Sequence, residues 1–75
     1  MQHPWVKEII YIDHAEKRRK QRGFTTLEIE LALKSPEITK RRNDSRIEII
    51  AKVRTRRIKV IYEEEENYLK IVSIM

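Results

Sequence analysis

The strongest constraint on this chain is a change of hydrophobic period at Pro36. Upstream, Ile29, Ala32 and Leu33 recur at i, i+3, i+4 spacing, which marks a helix with one buried face. Downstream, Ile47, Ile49, Ala51 and Val53 alternate with Arg46, Glu48, Ile50 and Lys52, the period-2 pattern of a half-exposed strand. The alternation continues from Arg57 to Tyr62, with Ile58, Val60 and Tyr62 on one face and Arg57, Lys59 and Ile61 on the other. It resumes from Tyr68 to Ile74, with Leu69, Ile71 and Ser73 opposite Tyr68, Lys70, Val72 and Ile74. The chain therefore divides into a helical part followed by a sheet.

Punctuation residues set the boundaries. Thr25 and Glu28 stand at capping-box spacing at the start of the second helix, and Ser35-Pro36 ends it. Asp13 is the expected N-cap of a first helix running through Arg22, with Gly23 as its stop and Phe24 packing back on that end. Ahead of it, Val6 to Ile12 is rich in Ile, Val and Tyr and reads as a short first strand, entered at Pro4. Asn43-Asp44, Arg54-Thr55 and the acidic run Glu63–Glu66 with Asn67 mark three turns, and a further short strand fits Glu37 to Arg42. Short consecutive connections imply antiparallel pairing. The expected fold is α+β: a short first strand and two N-terminal helices packed on one face of a three- to four-stranded antiparallel sheet. No linker or repeat interrupts it, so residues 1–75 form one domain.

Composition narrows the function. A chain of 75 residues buries only about 60% of its unfolded surface, so the core is thin. The absence of cysteine excludes disulfides, zinc-thiolate centres and cysteine nucleophiles, and two histidines, His3 and His14, are too few for a His-rich metal site. No cofactor and no metal are expected. No apolar run approaches the roughly 20 residues of a membrane span, so the expectation is a small, soluble, cytoplasmic protein without membrane contact. Its 17 basic and 12 acidic residues give a net charge of +5. Setting aside the run Glu63–Glu66 leaves 17 basic against 8 acidic groups, net +9, the balance of a domain that binds nucleic acid or another polyanion. Abundant Ile, Glu, Lys and Arg with a single Gly also fit a protein from a hot environment, but that reading leaves the positive excess unexplained.

Two clusters carry the positive charge. On the first helix, His14, Arg18 and Arg22 share a face at i, i+4, i+8 spacing, and so little apolar surface is left that Ala15 and the stem of Arg19 must do the packing. A helix N-terminus disfavours added positive charge, which suits a proton acceptor at His14; the commoner use of such a ring is structural, bonded to the sheet or to Asp13. The second cluster is on the strands, where Arg46, Lys52, Arg57, Lys59 and Lys70 with Tyr62 or Tyr68 could clamp phosphates and stack a base. Phosphodiester cleavage at a 2′-hydroxyl needs no metal, only a base such as His14 and cations such as Arg18 and Arg57 to stabilise the charge on the phosphoryl oxygens. No glycine-rich phosphate loop or serine elbow is present. On the second helix, Leu27 and Leu31 lie off the core-facing stripe; they are either buried in the same small fold or part of a partner interface.

The stretch HAEKRRKQRGFTTLEIELALKSPE resembles a small family of unknown function within the RelE/ParE toxin superfamily. The matching residues are His14, Ala15, Arg18, Arg22, Gly23, Phe24, Glu28, Ile29, Leu33 and Pro36, and the strands RIKVIY and YLKIVSI extend the likeness over about residues 12 to 74. The resemblance implies two helices against a curved antiparallel sheet, and a toxin neutralised by an acidic antitoxin protein that wraps it. It implies RNA as partner, with messenger RNA cut by a metal-independent endoribonuclease, often on the ribosome. Other members of the superfamily inhibit DNA gyrase without cleaving anything. Carried over, His14, Arg18 and Arg22 are the positions that matter, and the free protein is a monomer or homodimer. Nucleases of the superfamily commonly rely on a residue near the C-terminus. This chain ends at Met75 directly after its last expected strand, so no such residue is expected beyond it.

Overall fold

The computed structural model describes residues 8–42 and 45–75; Pro4, Val6, Lys7 and the expected Asn43–Asp44 turn lie outside the described residues. The elements are β1 (Glu8–Tyr11), α1 (Asp13–Arg22), α2 (Thr26–Lys34), β2 (Ile38–Arg41), β3 (Arg46–Val53), β4 (Arg56–Glu64) and β5 (Tyr68–Ile74). The protein is α+β, with α1 over β5 and β1 and α2 over β3.

The sheet is larger than expected and mixed. Five strands lie in the order β1-β5-β4-β3-β2, and only the four from β2 to β5 form an antiparallel meander. β1 pairs parallel with β5, Ile9 opposite Leu69 and Tyr11 opposite Ile71. The short-connection argument fixes strand direction only across hairpins; β1 leaves the sheet through two helices and is free of it.

Both helices end as the sequence dictates, but α1 starts differently. Gly23 takes the left-handed conformation (φ 76°), and the N–H groups of Gly23 and Phe24 return to the carbonyls of Lys20 and Arg19. At the other end the N-cap is Ile12 rather than Asp13, and no side chain caps the helix. Ile12 still belongs to the sheet ladder, donating to the Ile71 carbonyl at 3.3 Å while its own carbonyl accepts the first helical bond from Glu16. Asp13 is thereby pushed into the first turn, where its charge still suits the helix dipole. On α2 the capping box is complete: Thr25 Oγ1 accepts from the Glu28 N–H at 3.1 Å, and Glu28 Oε1 accepts from the Thr25 N–H at 2.9 Å.

Side chains follow the alternation, with one phase change. Ile47, Ile49, Ala51, Val53, Ile58 and Val60 form the core with Ala15, Phe24, Ile29 and Ala32 from the helical part. On β5, strict alternation would send Ile74 away from Ile71, yet both are fully buried in that core. The pairing steps from Ile61 opposite Ser73 to Tyr62 opposite Ile71, so Val72 is an extra residue that turns the strand by one position. The acidic run is also not wholly a turn. Glu63 and Glu64 are the last residues of β4, and the turn is closed by the Glu65 N–H donating to the Tyr68 carbonyl at 2.8 Å. Arg54-Thr55 is a turn as expected, with Arg54 at φ 61°.

A candidate polyanion-binding surface on helix α1

With an apolar inner face reduced to Ala15, α1 is seated by Arg19. That side chain is 14% exposed; its Nε and Nη2 reach both oxygens of Glu16 at 3.2 and 2.9 Å, and Nη1 donates to the Phe24 carbonyl at 2.7 Å. Its guanidinium also lies 5.8 Å from the centre of the Tyr11 ring. The Tyr11 hydroxyl is buried without a hydrogen-bond partner, and burial, the largest cause, pushes it up to about 12. Seated this way, α1 turns His14, Arg18 and Arg22 outward along one stripe. His14 is exposed in the first turn and bonded to neither the sheet nor Asp13, which removes the structural use considered for it. Arg18 is half-buried, Arg22 is exposed, and with Lys17 they carry no ion pair among the described residues.

The strand cations are arranged quite differently. Arg57 projects from the sheet face opposite the helices, alternating with the core residue Ile58. It therefore does not share a site with His14 and Arg18, and it pairs with Glu37 at 3.6 Å. On the same open face, Lys59 lies 3.7 Å and Arg42 2.8 Å from Glu48, a carboxylate only 7% exposed. Arg46 at 2.9 Å and Lys70 at 3.3 Å grip Glu63. Three of the expected RNA contacts, Arg46, Lys59 and Lys70, are thus neutralised in place, and of the expected set on this face only Lys52 is unpaired among the described residues. Tyr62 is not on this face at all. It sits opposite Ile47 on the helix side, half-buried against the core, and burial raises its hydroxyl pKa. Tyr68, two residues from Lys70, is the tyrosine of the open face.

The sheet cation that does reach α1 is Arg56, one register position from Arg57. Its guanidinium lies 4.1 Å from the centre of the Phe24 ring and donates to the Arg22 carbonyl. The signal was in the alternation, since Arg56 shares parity with Ile58, Val60 and Tyr62. Leu27 and Leu31 resolve as solvent-facing, 62% and 50% exposed. Among the described residues no group of three His, Asp or Glu side chains converges as metal ligands, and no helix is long and apolar enough to cross a membrane.

Three carboxyls, Glu63 on the open face and Glu16 and Glu28 on the helices, make the fold sensitive to acid. The hydrogen bond from Arg46, and then that from Lys70, hold the Glu63 carboxyl below the usual carboxylate range; Arg19 does the same for Glu16, and the Thr25 backbone for Glu28. A lowered folded-state pKa contributes stability above the ordinary carboxylate range of about 4.3, and that contribution is lost as pH falls through the lowered value. Thermal midpoints should be level above about pH 5 and fall at lower pH. Glu63→Gln should lower the midpoint at neutral pH and flatten the acid limb; an unchanged limb would exclude Glu63 as a contributor.

No curated protein and no solved structure matches the chain. Residues 11–75, which hold both helices, the antiparallel meander and every residue of the α1 stripe, match the model of a domain of unknown function, and the chain belongs to that family, DUF4258.

Proposed function

We propose that this is a RelE/ParE-like domain directed at RNA, a toxin of the messenger-cleaving kind whose reactive surface is the α1 stripe. The observation that carries the reading is the stripe itself: exposed His14 beside Arg18 and Arg22, cations with no ion pair among the described residues, on a helix that gives up apolar packing to present them. Two helices on one sheet face and an antiparallel meander support the reading, while the parallel β1 departs from the wholly antiparallel sheet the resemblance implies. In the reaction, the imidazole of His14 takes the proton of the 2′-hydroxyl as that oxygen attacks the adjacent phosphorus. Arg18 and Arg22 hold the phosphoryl oxygens, and the 5′-oxygen departs with a proton from solvent. The products are a 2′,3′-cyclic phosphate and a 5′-hydroxyl.

The test is brief induction of the protein followed by mapping of RNA ends. Growth arrest with new 5′-hydroxyl ends is expected, and His14→Ala, which removes an exposed side chain, should fold normally and reduce cleavage about 10²–10⁴-fold. Arrest with intact message would defeat cleavage and favour the second reading, a non-catalytic module that inhibits a target such as DNA gyrase. That alternative rests on the exposed Leu27 and Leu31 of α2, two large apolar side chains on one solvent-facing stripe.

A further inference from the structure

Helix α1 carries five cations, and they fall into two groups. Arg19 holds both oxygens of Glu16, and Lys20 lies 3.7 Å from the same carboxylate. Lys17, Arg18 and Arg22 form no ion pair among the described residues. Arg18 and Arg22 belong to the stripe, and Lys17 stands beside it. Its isolation is not for want of a partner. Asp13 lies four residues ahead, in the order that favours an acid–lysine pair on a helix, and the two remain apart. Lys17 therefore reaches solvent with its ammonium uncommitted.

Helix geometry puts that ammonium next to His14. Residues three and four apart are surface neighbours, with about 5–6 Å between their Cβ atoms. At 3.6 residues per turn, Lys17 falls about 60° to one side of His14 and Arg18 about 40° to the other. Long helical side chains lean toward the N-terminus, so both reach back over the turn that holds His14. A phosphate set on that turn has Arg18 on one flank and Lys17 on the other.

Chemistry separates the two flanks. A guanidinium does not give up a proton in a protein, so Arg18 and Arg22 can only bind and stabilise charge. Glu16 is held by Arg19 and Lys20, and the Asp13 carboxylate is an acceptor. On the exposed side of α1, the ammonium of Lys17 is the group beside His14 that can hand a proton on.

We infer that Lys17 is the general acid of the cleavage proposed above, and the assignment rests on that reading. As the bond from the 2′-oxygen to phosphorus forms, His14 takes the 2′-hydroxyl proton. The bond from phosphorus to the 5′-oxygen breaks on the opposite side, and its electron pair leaves on that oxygen. Lys17 delivers a proton to it there. His14 then releases its proton to solvent and the Lys17 amine takes one back, so the proton drawn from solvent reaches the leaving group through Lys17.

The test is single-turnover cleavage, by the whole chain, of a short synthetic messenger that carries the site mapped in cells, both free and loaded on ribosomes. One substrate has the ordinary linkage at that site. A second has sulfur in place of the bridging 5′-oxygen, a leaving group that departs as a thiolate without needing a proton. On the ordinary linkage Lys17→Ala, which removes an exposed side chain, should be slower by about 10²–10⁴-fold. Lys17→Arg should be comparably slow, because it keeps the charge but not the transferable proton. On the sulfur linkage both variants should regain the wild-type rate, whereas His14→Ala should stay slow because the base is still needed. Wild-type speed of either Lys17 variant on the ordinary linkage, or a loss that persists on the sulfur linkage, would overturn the role of Lys17 and leave the cleavage reading standing. Failure of the wild-type chain to cut the ordinary linkage would defeat the cleavage reading itself, and the role of Lys17 with it.

Discussion

Replacing Ile71 with alanine is expected to lower the free energy of unfolding by about 2–5 kcal/mol, the span observed for deleting a buried isoleucine or leucine side chain. Ile71 is fully buried, is the register partner of Tyr11 on β1 and of Tyr62 on β4, and accepts the Ile12 N–H that ends the β1 ladder. The bulge at Val72 leaves little room to repack, because sliding β5 by one residue would expose Ile74. A domain of this size holds roughly 4–11 kcal/mol in total, so the variant should sit at the edge of folding. Urea unfolding decides it, with Leu27→Ala as the comparison. Leu27 is 62% exposed and should cost no more than about 0.5 kcal/mol. Similar losses for the two variants would mean that the β1–β5–β4 junction is not the centre of stability.

Arg19→Ala is expected to cost about 2 kcal/mol, close to what a hydrogen bond from a charged donor contributes. Most of the loss comes from the Phe24 carbonyl, which loses its donor at 2.7 Å, and from the buried arginine stem. The Glu16 pair contributes less, because its carboxylate is 38% exposed and screened by water. Arg19→Lys should recover only part. An ammonium cannot hold both Glu16 oxygens and the Phe24 carbonyl from one plane, and it lies less well against Tyr11. Full recovery by lysine in a denaturant titration would reduce Arg19 to a charge and discard the fork geometry.

What could be read in advance follows from how local each signal is. The Thr25/Glu28 box, the Gly23 stop and the role of Arg19 are decided within six residues of chain, and all three hold. The parallel seat of β1 was invisible because it pairs residues 60 positions apart, Glu8 with Tyr68, and no turn chemistry records that. The ion pairs of the sheet cations were hidden for a related reason. Alternation tells which face a side chain takes but not which neighbour stands across the strand, and Arg46 meets Glu63 only through the β3–β4 register. Charge counting treated Glu63 as part of a solvated turn, whereas it is the acceptor for both Arg46 and Lys70. The shared face of His14, Arg18 and Arg22 was legible because i, i+4, i+8 spacing on one helix needs no tertiary information.

The parallel seat of β1 also sets an order of events during synthesis. β1 and α1 are among the first elements to be translated, and their floor, β5, is the last of the strands. Until Tyr68–Ile74 is made, α1 lacks the strand it mainly packs over, although Arg19 already has Tyr11, Glu16 and the Phe24 carbonyl within its own stretch of chain. Contacts spanning this much of the chain also place folding toward the slow end for a small domain. The basic face of α1 is therefore fully seated only once β5 has been translated.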